Sequence, residues 1–300
     1  MTVSSEVEVE TKLNWSTLQR VILPSQSQMD TVPLYMDMGA ATGTQLPTVG
    51  DREGKTAVAR SFAAPTKEAH IEDFLSRRST LVRSGERVSF GSYFNAFPAS
   101  YWRRWTTVEN IRLRVHTQGP GSVIVYKSNA RGSLQRVDTR RVEGTADSVF
   151  ELSLAPFGDG GWYWFDLVAG TEPLVMLEAE WQGPAVEKPS GSVTLQITTL
   201  NKNDFCLNNL RLMAENPEAL EHVQEVLLVD QGSQKVSEAE GFAEVRDALQ
   251  GKLRIINQSN LGGSGGFARG MFEAVENGSD YVLLMDDDIV VEPASIIRLL

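Results

Sequence analysis

The sequence predicts a β domain followed by a parallel α/β domain, and three observations carry that reading. Between residues 79 and 182, short alternating apolar segments recur, split by Gly and Pro turns; this is the pattern of an antiparallel β-sandwich or jelly-roll-like barrel. From Val193 onward, apolar runs alternate with amphipathic segments, as in a parallel sheet with right-handed crossovers. Residues 183–192, Gly-Pro-Ala-Val-Glu-Lys-Pro-Ser-Gly-Ser, read as a linker by composition. A length of 300 residues accommodates two domains.

Residues 1–78 read as an extension with loops packing on the β domain. Within them, Trp15 to Leu23 is apolar enough for a short docked element. Pro24 to Lys67 is rich in Gly, Thr, Ser and Pro and reads as loops, and Lys67 to Ser76 reads as a short helix. The β domain then has alternating segments at Arg87 to Phe94, Ile111 to Val115 and Val149 to Leu154, with further strand-like segments at Val123 to Tyr126, after the Gly119-Pro120-Gly121 turn, at Trp162 to Leu167, after Gly160-Gly161, and at Leu174 to Trp181. Residues 94–105 stand out, with five aromatics and two arginines in twelve positions. Aromatic faces stack on sugar C–H surfaces, so the stretch reads as a sugar platform. Equally it reads as core or interdomain interface, where Trp, Tyr and Arg are enriched.

In the α/β domain, strands are expected at Val193 to Thr199, Gln224 to Val229, Leu253 to Ile256 and Tyr281 to Met285. Helices are expected at Asp204 to Glu215, Phe242 to Leu249 and Phe267 to Glu276, the last closed by Asn277-Gly278. Pro293 opens another amphipathic helix that reaches Leu300 without a stop signal. The domain therefore reads as truncated, the N-terminal part of a longer protein.

Composition excludes several classes. A net charge of -11 argues against a nucleic-acid surface. The single cysteine, Cys206, rules out an internal disulfide framework, fits a reducing compartment and has core-like neighbours. No apolar run is long enough for a transmembrane helix. His70, His116 and His222 lack metal-ligand spacing.

The four expected strands each deliver a polar loop to one sheet edge, where ligands of open α/β sheets bind. These are Thr199-Leu200-Asn201-Lys202-Asn203, Asp230-Gln231-Gly232, residues 257–266 and Asp286-Asp287-Asp288. Three adjacent acids repel one another unless a cation or hydrogen bonds offset the cost. Strand alternation puts Asp286 and Asp288 on one side and Asp287 on the other. The pair on one side fits a divalent metal holding a phosphate-bearing ligand; an acidic N-cap cluster for the helix at Pro293 is the alternative. Asn260-Leu261-Gly262-Gly263-Ser264-Gly265-Gly266 lets a backbone approach a pyrophosphate ahead of a helix, or is merely a flexible turn. It lacks the Gly-Lys-Ser/Thr of a Walker loop and the spacing of a dinucleotide fingerprint. Arg269 could meet a phosphate or be a solvated helix-face charge. Asp230 could accept from a base or ribose, or be a turn aspartate.

Residues 94–107, Asp159-Gly160-Gly161-Trp162, Asp230-Gln231-Gly232, residues 260–266 and Met285-Asp286-Asp287-Asp288-Ile289 together carry a family resemblance. The chain from about residue 15 resembles a family 2 glycosyltransferase of the GT-A (Rossmann-like) fold, specifically the mycobacterial-type galactofuranosyltransferases that polymerise the galactan of arabinogalactan. The resemblance implies UDP-galactofuranose as donor, Mn²⁺ or Mg²⁺ as cofactor, and a lipid-linked galactan acceptor extended by alternating β-1,5 and β-1,6 linkages. It implies an inverting reaction and a homo-oligomer at the cytoplasmic face of the plasma membrane, held peripherally. By position it gives Thr199, Asn201, Lys202, Asp230, Asn260, Arg269, Asp286 and Asp287 to the nucleotide sugar, and Asp286 and Asp288 to the metal. The family's Pro-Thr-Phe-Asn-Arg-Pro becomes Thr198-Thr199-Leu200-Asn201-Lys202-Asn203 here, so a lysine replaces the bidentate arginine. The catalytic base is expected beyond residue 300, so the 300 residues alone are expected to bind donor without transferring it. Two further readings are a rhamnosyltransferase or other enzyme of the same fold, and a carbohydrate-binding module with Trp102, Trp105 and Trp162 as its face.

Overall fold

The structure is a computed structural model and describes residues 14–38, 70–185 and 191–300. The chain forms two compact units, Met1–Val186 and Glu187–Leu300. Of the expectations above, residues 39–67 of the loop segment, 67–69 of the short helix and 186–190 of the linker lie outside the described residues. No described helix is long and apolar enough to cross a membrane.

The first unit is built of antiparallel strands β1 (Trp15–Arg20), β2 (Thr80–Val82), β3 (Arg87–Ser89), β4 (Asn110–Gln118), β5 (Gly121–Ser128), β6 (Leu134–Val142), β7 (Thr145–Ser153), β8 (Tyr163–Ala169) and β9 (Leu174–Pro184), with one helix, α1 (Ala99–Trp105). One sheet runs β1-β9-β4-β7 with β2 also on β9, and the other runs β3-β8-β5-β6. Residues from both sheets share one hydrophobic cluster. Alternation sets it up: in β4, Ile111, Leu113 and Val115 are buried while their neighbours are partly exposed. The cluster is aromatic at its centre, with the Phe90 and Phe165 rings stacked at 4.6 Å and Phe97 5.3 Å from Trp181.

Several elements differ from the sequence reading. The 94–105 stretch turns helical from Ala99, and Phe97 is wholly buried. Trp102 stacks on Phe97 at 5.7 Å, so it serves the core, while Tyr101 and Trp105 stay 66% and 64% exposed. β6 escaped notice because Leu134 to Arg141 are all exposed and no alternation marks them. It is an edge strand, and Arg136, Asp138, Arg140 and Arg141 charge that edge. β9 continues through Gly183 and Pro184, which composition assigns to the linker, because β1 pairs with them. Of the helix expected by Ser76, the described part is one 3₁₀ turn, Ile71–Asp73.

Asn95 explains why the N-terminal segment docks. It is fully buried, its Oδ1 accepts from Ile22 N at 2.9 Å, and its Nδ2 donates to the carbonyls of Ile22 and Tyr35 at 2.7 Å each. Its own carbonyl accepts from Trp181 Nε1 at 3.2 Å. Asn95→Ala removes three hydrogen bonds and leaves the Ile22 N–H and carbonyl without them, while the Tyr35 carbonyl keeps its bond from Ser92 Oγ at 2.6 Å, so a loss of about 2–3 kcal/mol is expected at about 1 kcal/mol per bond. Urea unfolding of the chain measures it; an unchanged midpoint would remove Asn95 from this role.

The second unit contains β10 (Val193–Thr199), α2 (Asn203–Ala214), α3 (Pro217–Leu220), β11 (Val223–Asp230), α4 (Phe242–Ala248), β12 (Leu253–Asn257), α5 (Gly262–Glu276), β13 (Tyr281–Asp286) and α6 (Pro293–Leu299). Its sheet is wholly parallel in the order β12-β11-β10-β13. The strand order reverses between β10 and β13, and that is where such sheets open a crevice at their carboxyl ends. α5 begins at Gly262 rather than Phe267, so the glycines form its first turns instead of a loop before it. They are there for packing. A Cβ on Gly266 would lie 2.2 Å from Thr198 Cγ2, and one on Gly270 would lie 1.9 Å from Gln196 Cγ. Gly266 and Gly270 are one turn apart, so one bare stripe lets α5 lie against β10.

Candidate functional site

Register brings the strand ends into line. Thr198 pairs with Asp286, Thr199 with Asp230, and Asp230 with Asn257. The loops beyond are laced together. Gln231 N donates to the Thr199 carbonyl at 3.0 Å, and Gln258 N to the Asp230 carbonyl at 3.1 Å. Asn201, held at a positive φ of 57°, accepts from Gln234 N at 2.9 Å through Oδ1. The Gln231 side chain crosses to the start of α5: Oε1 accepts from Leu261 N at 2.8 Å and Nε2 donates to the Gly262 carbonyl at 3.1 Å.

Within this frame the three aspartates differ, Asp286 ending β13 and Asp287 and Asp288 lying in the turn after it. Asp286 and Asp288 are exposed and Asp287 is half-buried. Thr199 Oγ1 donates to Asp287 Oδ2 at 2.7 Å, and Asn209 Nδ2 donates to the Asp287 carbonyl at 3.0 Å. Among the described residues, Asp286 and Asp288 side chains have no hydrogen-bond or ion-pair partner. The acidic-cap alternative is filled by another residue: Glu292 Oε1 accepts from Ala294 N at 3.0 Å at the start of α6.

The other expected residues are placed as follows. Asp230 is 0% exposed, and its two oxygens accept from Gly232 N and Val236 N at 2.9 Å each, with Lys235 Nζ 3.8 Å away. It braces its own loop, the turn role weighed against ligand contact. Arg269 pairs with Glu273 at 2.7 Å one turn along α5, as a helix-face charge does. Glu273 also meets Arg254 at 2.8 Å, and the two arginines hold its carboxyl below the usual carboxylate range. Asn260 Oδ1 accepts from Gly262 N at 2.9 Å in a local turn. Lys202 is exposed, its ammonium 5.4 Å from the Phe205 ring. Cys206 is buried and its thiol is pushed up to about 12, chiefly by desolvation, so it is no nucleophile.

Sequence reasoning missed Gln231 and Asn209. A signal existed for Asn209: it shares the α2 face of Cys206, Leu210 and Met213, where a polar residue is out of place. Nothing marked Gln231 beyond its position after a strand.

The donor set suits a hard cation. Two unpaired carboxylates at one strand end favour Mn²⁺ or Mg²⁺ over soft metals. Among the described residues no three His, Cys, Asp or Glu side chains gather into a preformed cage. That fits an ion completed by phosphate oxygens and water, as Mg²⁺ sites at phosphates are. Asp286 and Asp288 would hold it.

Comparisons with known proteins converge on one family. Residues 44–184 match the family described as Galactofuranosyltransferase 2 N-terminal, and residues 189–300 match Glycosyltransferase like family 2. The chain is 38% identical to galactofuranosyltransferase GlfT2 of Mycolicibacterium smegmatis, covering 99% of this chain and 43% of that protein. It is 37% identical to galactofuranosyltransferase GlfT2 of Mycobacterium tuberculosis, covering 95% and 41%. The chain thus spans about two-fifths of the length of these relatives. Among solved structures, the CBM22-1–GH10 modules of Clostridium thermocellum xylanase 10B cover 53% of this chain and 32% of their own at 9% identity, with a TM-score of 0.27, too low to carry an argument. Both units are thus matched, the first to the N-terminal domain of galactofuranosyltransferase 2 and the second to a family 2-like glycosyltransferase domain.

Proposed function

We propose that the chain supplies the donor-binding part of a galactofuranosyltransferase. The observation that carries this is the exposed pair Asp286 and Asp288, without a side-chain partner among the described residues, at the switch point of a parallel sheet whose residues match Glycosyltransferase like family 2. The donor is UDP-galactofuranose and the acceptor a lipid-linked galactan, extended through alternating β-1,5 and β-1,6 linkages with inversion. Asp286 and Asp288 would hold a Mn²⁺ or Mg²⁺, which when bound would supply positive charge to a departing diphosphate. Exposed Asn201, Lys202 and Asn260 lie in the loops beyond the strand ends, where Lys202 would give a point charge to the diphosphate. Asp230 and Arg269 contribute through the braces described above unless donor binding frees them. No catalytic base is assigned within residues 1–300. The assembly works as a homo-oligomer on the cytoplasmic face of the plasma membrane, and the family's length beyond this chain leaves room for the acceptor site.

Calorimetric titration of the chain with UDP, with Mn²⁺ and then with chelator, tests the reading. Binding that needs the metal is expected. Absence of binding in both conditions would overturn it. A carbohydrate-binding role draws on exposed Tyr101, Trp105 and Trp162 instead; galactan binding that survives Asp288→Ala and fails in Trp105→Ala would favour it.

A further inference from the structure

The middle aspartate of the triplet is treated differently from its neighbours. Thr199 is 1% exposed and Asn209 is 0% exposed, and they come from β10 and α2. One takes the Asp287 side chain at 2.7 Å, and the other takes its carbonyl at 3.0 Å. β13 ends at Asp286, so Asp287 and Asp288 already lie in a turn. A turn with three adjacent carboxylates is pushed open by its own charge. A charge-assisted bond to Asp287 and a second bond to its main chain oppose that, and both are sheltered from water. The result is that Asp286 and Asp288 flank a fixed point.

We propose that Thr199 and Asn209 are positioning residues, a clamp on Asp287 that sets the spacing of Asp286 and Asp288 for a metal-bound diphosphate. This rests on the donor-binding reading above. It gives Thr199 and Asp287 a different role from direct contact with the nucleotide sugar. Asp287 turns its carboxylate inward to Thr199, and its charge reaches the ligand only through geometry. Asn209 Oδ1 is buried with no partner, so the side chain is retained for its donor end.

The test is a double-mutant cycle read by Mn²⁺ affinity in the presence of UDP, followed by the Mn²⁺ EPR signal of the chain. Thr199→Val keeps the shape of the side chain and deletes the hydroxyl. It is expected to weaken Mn²⁺ about 10-fold, the usual cost of removing a partner that orients a ligand. Thr199→Ser, which restores the hydroxyl, recovers most of that. Asp287→Ala removes the acceptor and weakens Mn²⁺ similarly, and Thr199→Val on top of Asp287→Ala adds little, because both break one link. Asn209→Ala weakens it through the other link. A purely structural role would lower the melting temperature of these variants and leave Mn²⁺ affinity of the folded protein alone. Equal affinities in wild type and Thr199→Val overturn the clamp while leaving the donor reading intact. Full additivity of Thr199→Val and Asp287→Ala also overturns it, because the two side chains would then act independently of each other. Failure of wild type to bind UDP with Mn²⁺ overturns the donor reading and the clamp with it.

Discussion

An Asp288→Ala chain is expected to lose Mn²⁺-dependent UDP binding by about 100-fold, or roughly 2.7 kcal/mol at 1.4 kcal/mol per decade. Among the described residues, Asp286 and Asp288 are the exposed, unpartnered carboxylates at this strand end, so Asp288→Ala would remove one of the two groups proposed to hold the cation. Nothing close by replaces it, since no third His, Cys, Asp or Glu joins them among the described residues. Asp286→Ala should match it. Arg269→Ala should fall far short, because that guanidinium is spent on Glu273 at 2.7 Å. Titration calorimetry across these three variants separates the readings. Binding by Asp288→Ala within three-fold of wild type would place the metal elsewhere.

How much of this was legible depended on whether a residue's neighbours in sequence are also its neighbours in space. β4 could be read because one face of the strand is buried and alternation records it. β6 could not, because an edge strand with both faces in water leaves no period in its residues. The four loops could be placed on one edge, since a parallel sheet puts every βα loop there. The side-to-side alternation expected of Asp286, Asp287 and Asp288 assumed a strand, and the strand ends at Asp286. What lay beyond reach was long-range pairing: Thr199 with Asp287 are 88 positions apart, and Asn209 with Asp287 are 78. Asp230 shows the same limit on a short scale. Its position after a strand fits a ligand contact and a loop brace alike, and only the N–H groups of Gly232 and Val236 around it distinguish them.

The glycines of α5 lead to the second large effect. A Gly266→Val chain is expected to lose more than about 4 kcal/mol in its second unit, beyond the usual overpacking cost of about 1–3 kcal/mol. Even a single added Cβ would meet Thr198 Cγ2 at 2.2 Å and Oγ1 at 2.6 Å, with Cβ behind them at 3.0 Å. Thr198 cannot swing aside easily. It is β-branched, sits in a strand, and its Oγ1 accepts from Gln196 Nε2 at 2.7 Å. Relief must therefore come from α5 moving off β10. That motion would carry Leu261 and Gly262 away from Gln231, and so open the loop network at its far end. Stability and donor binding should fail together. The milder Gly266→Ala allows a compensating test, because Thr198→Ala removes the two nearest atoms and keeps only the one at 3.0 Å. Denaturant unfolding should show Gly266→Ala strongly destabilised and the pair with Thr198→Ala substantially recovered. If the pair is as unstable as the sum of its two single changes, the glycine is required for some reason other than the close approach of α5 to β10.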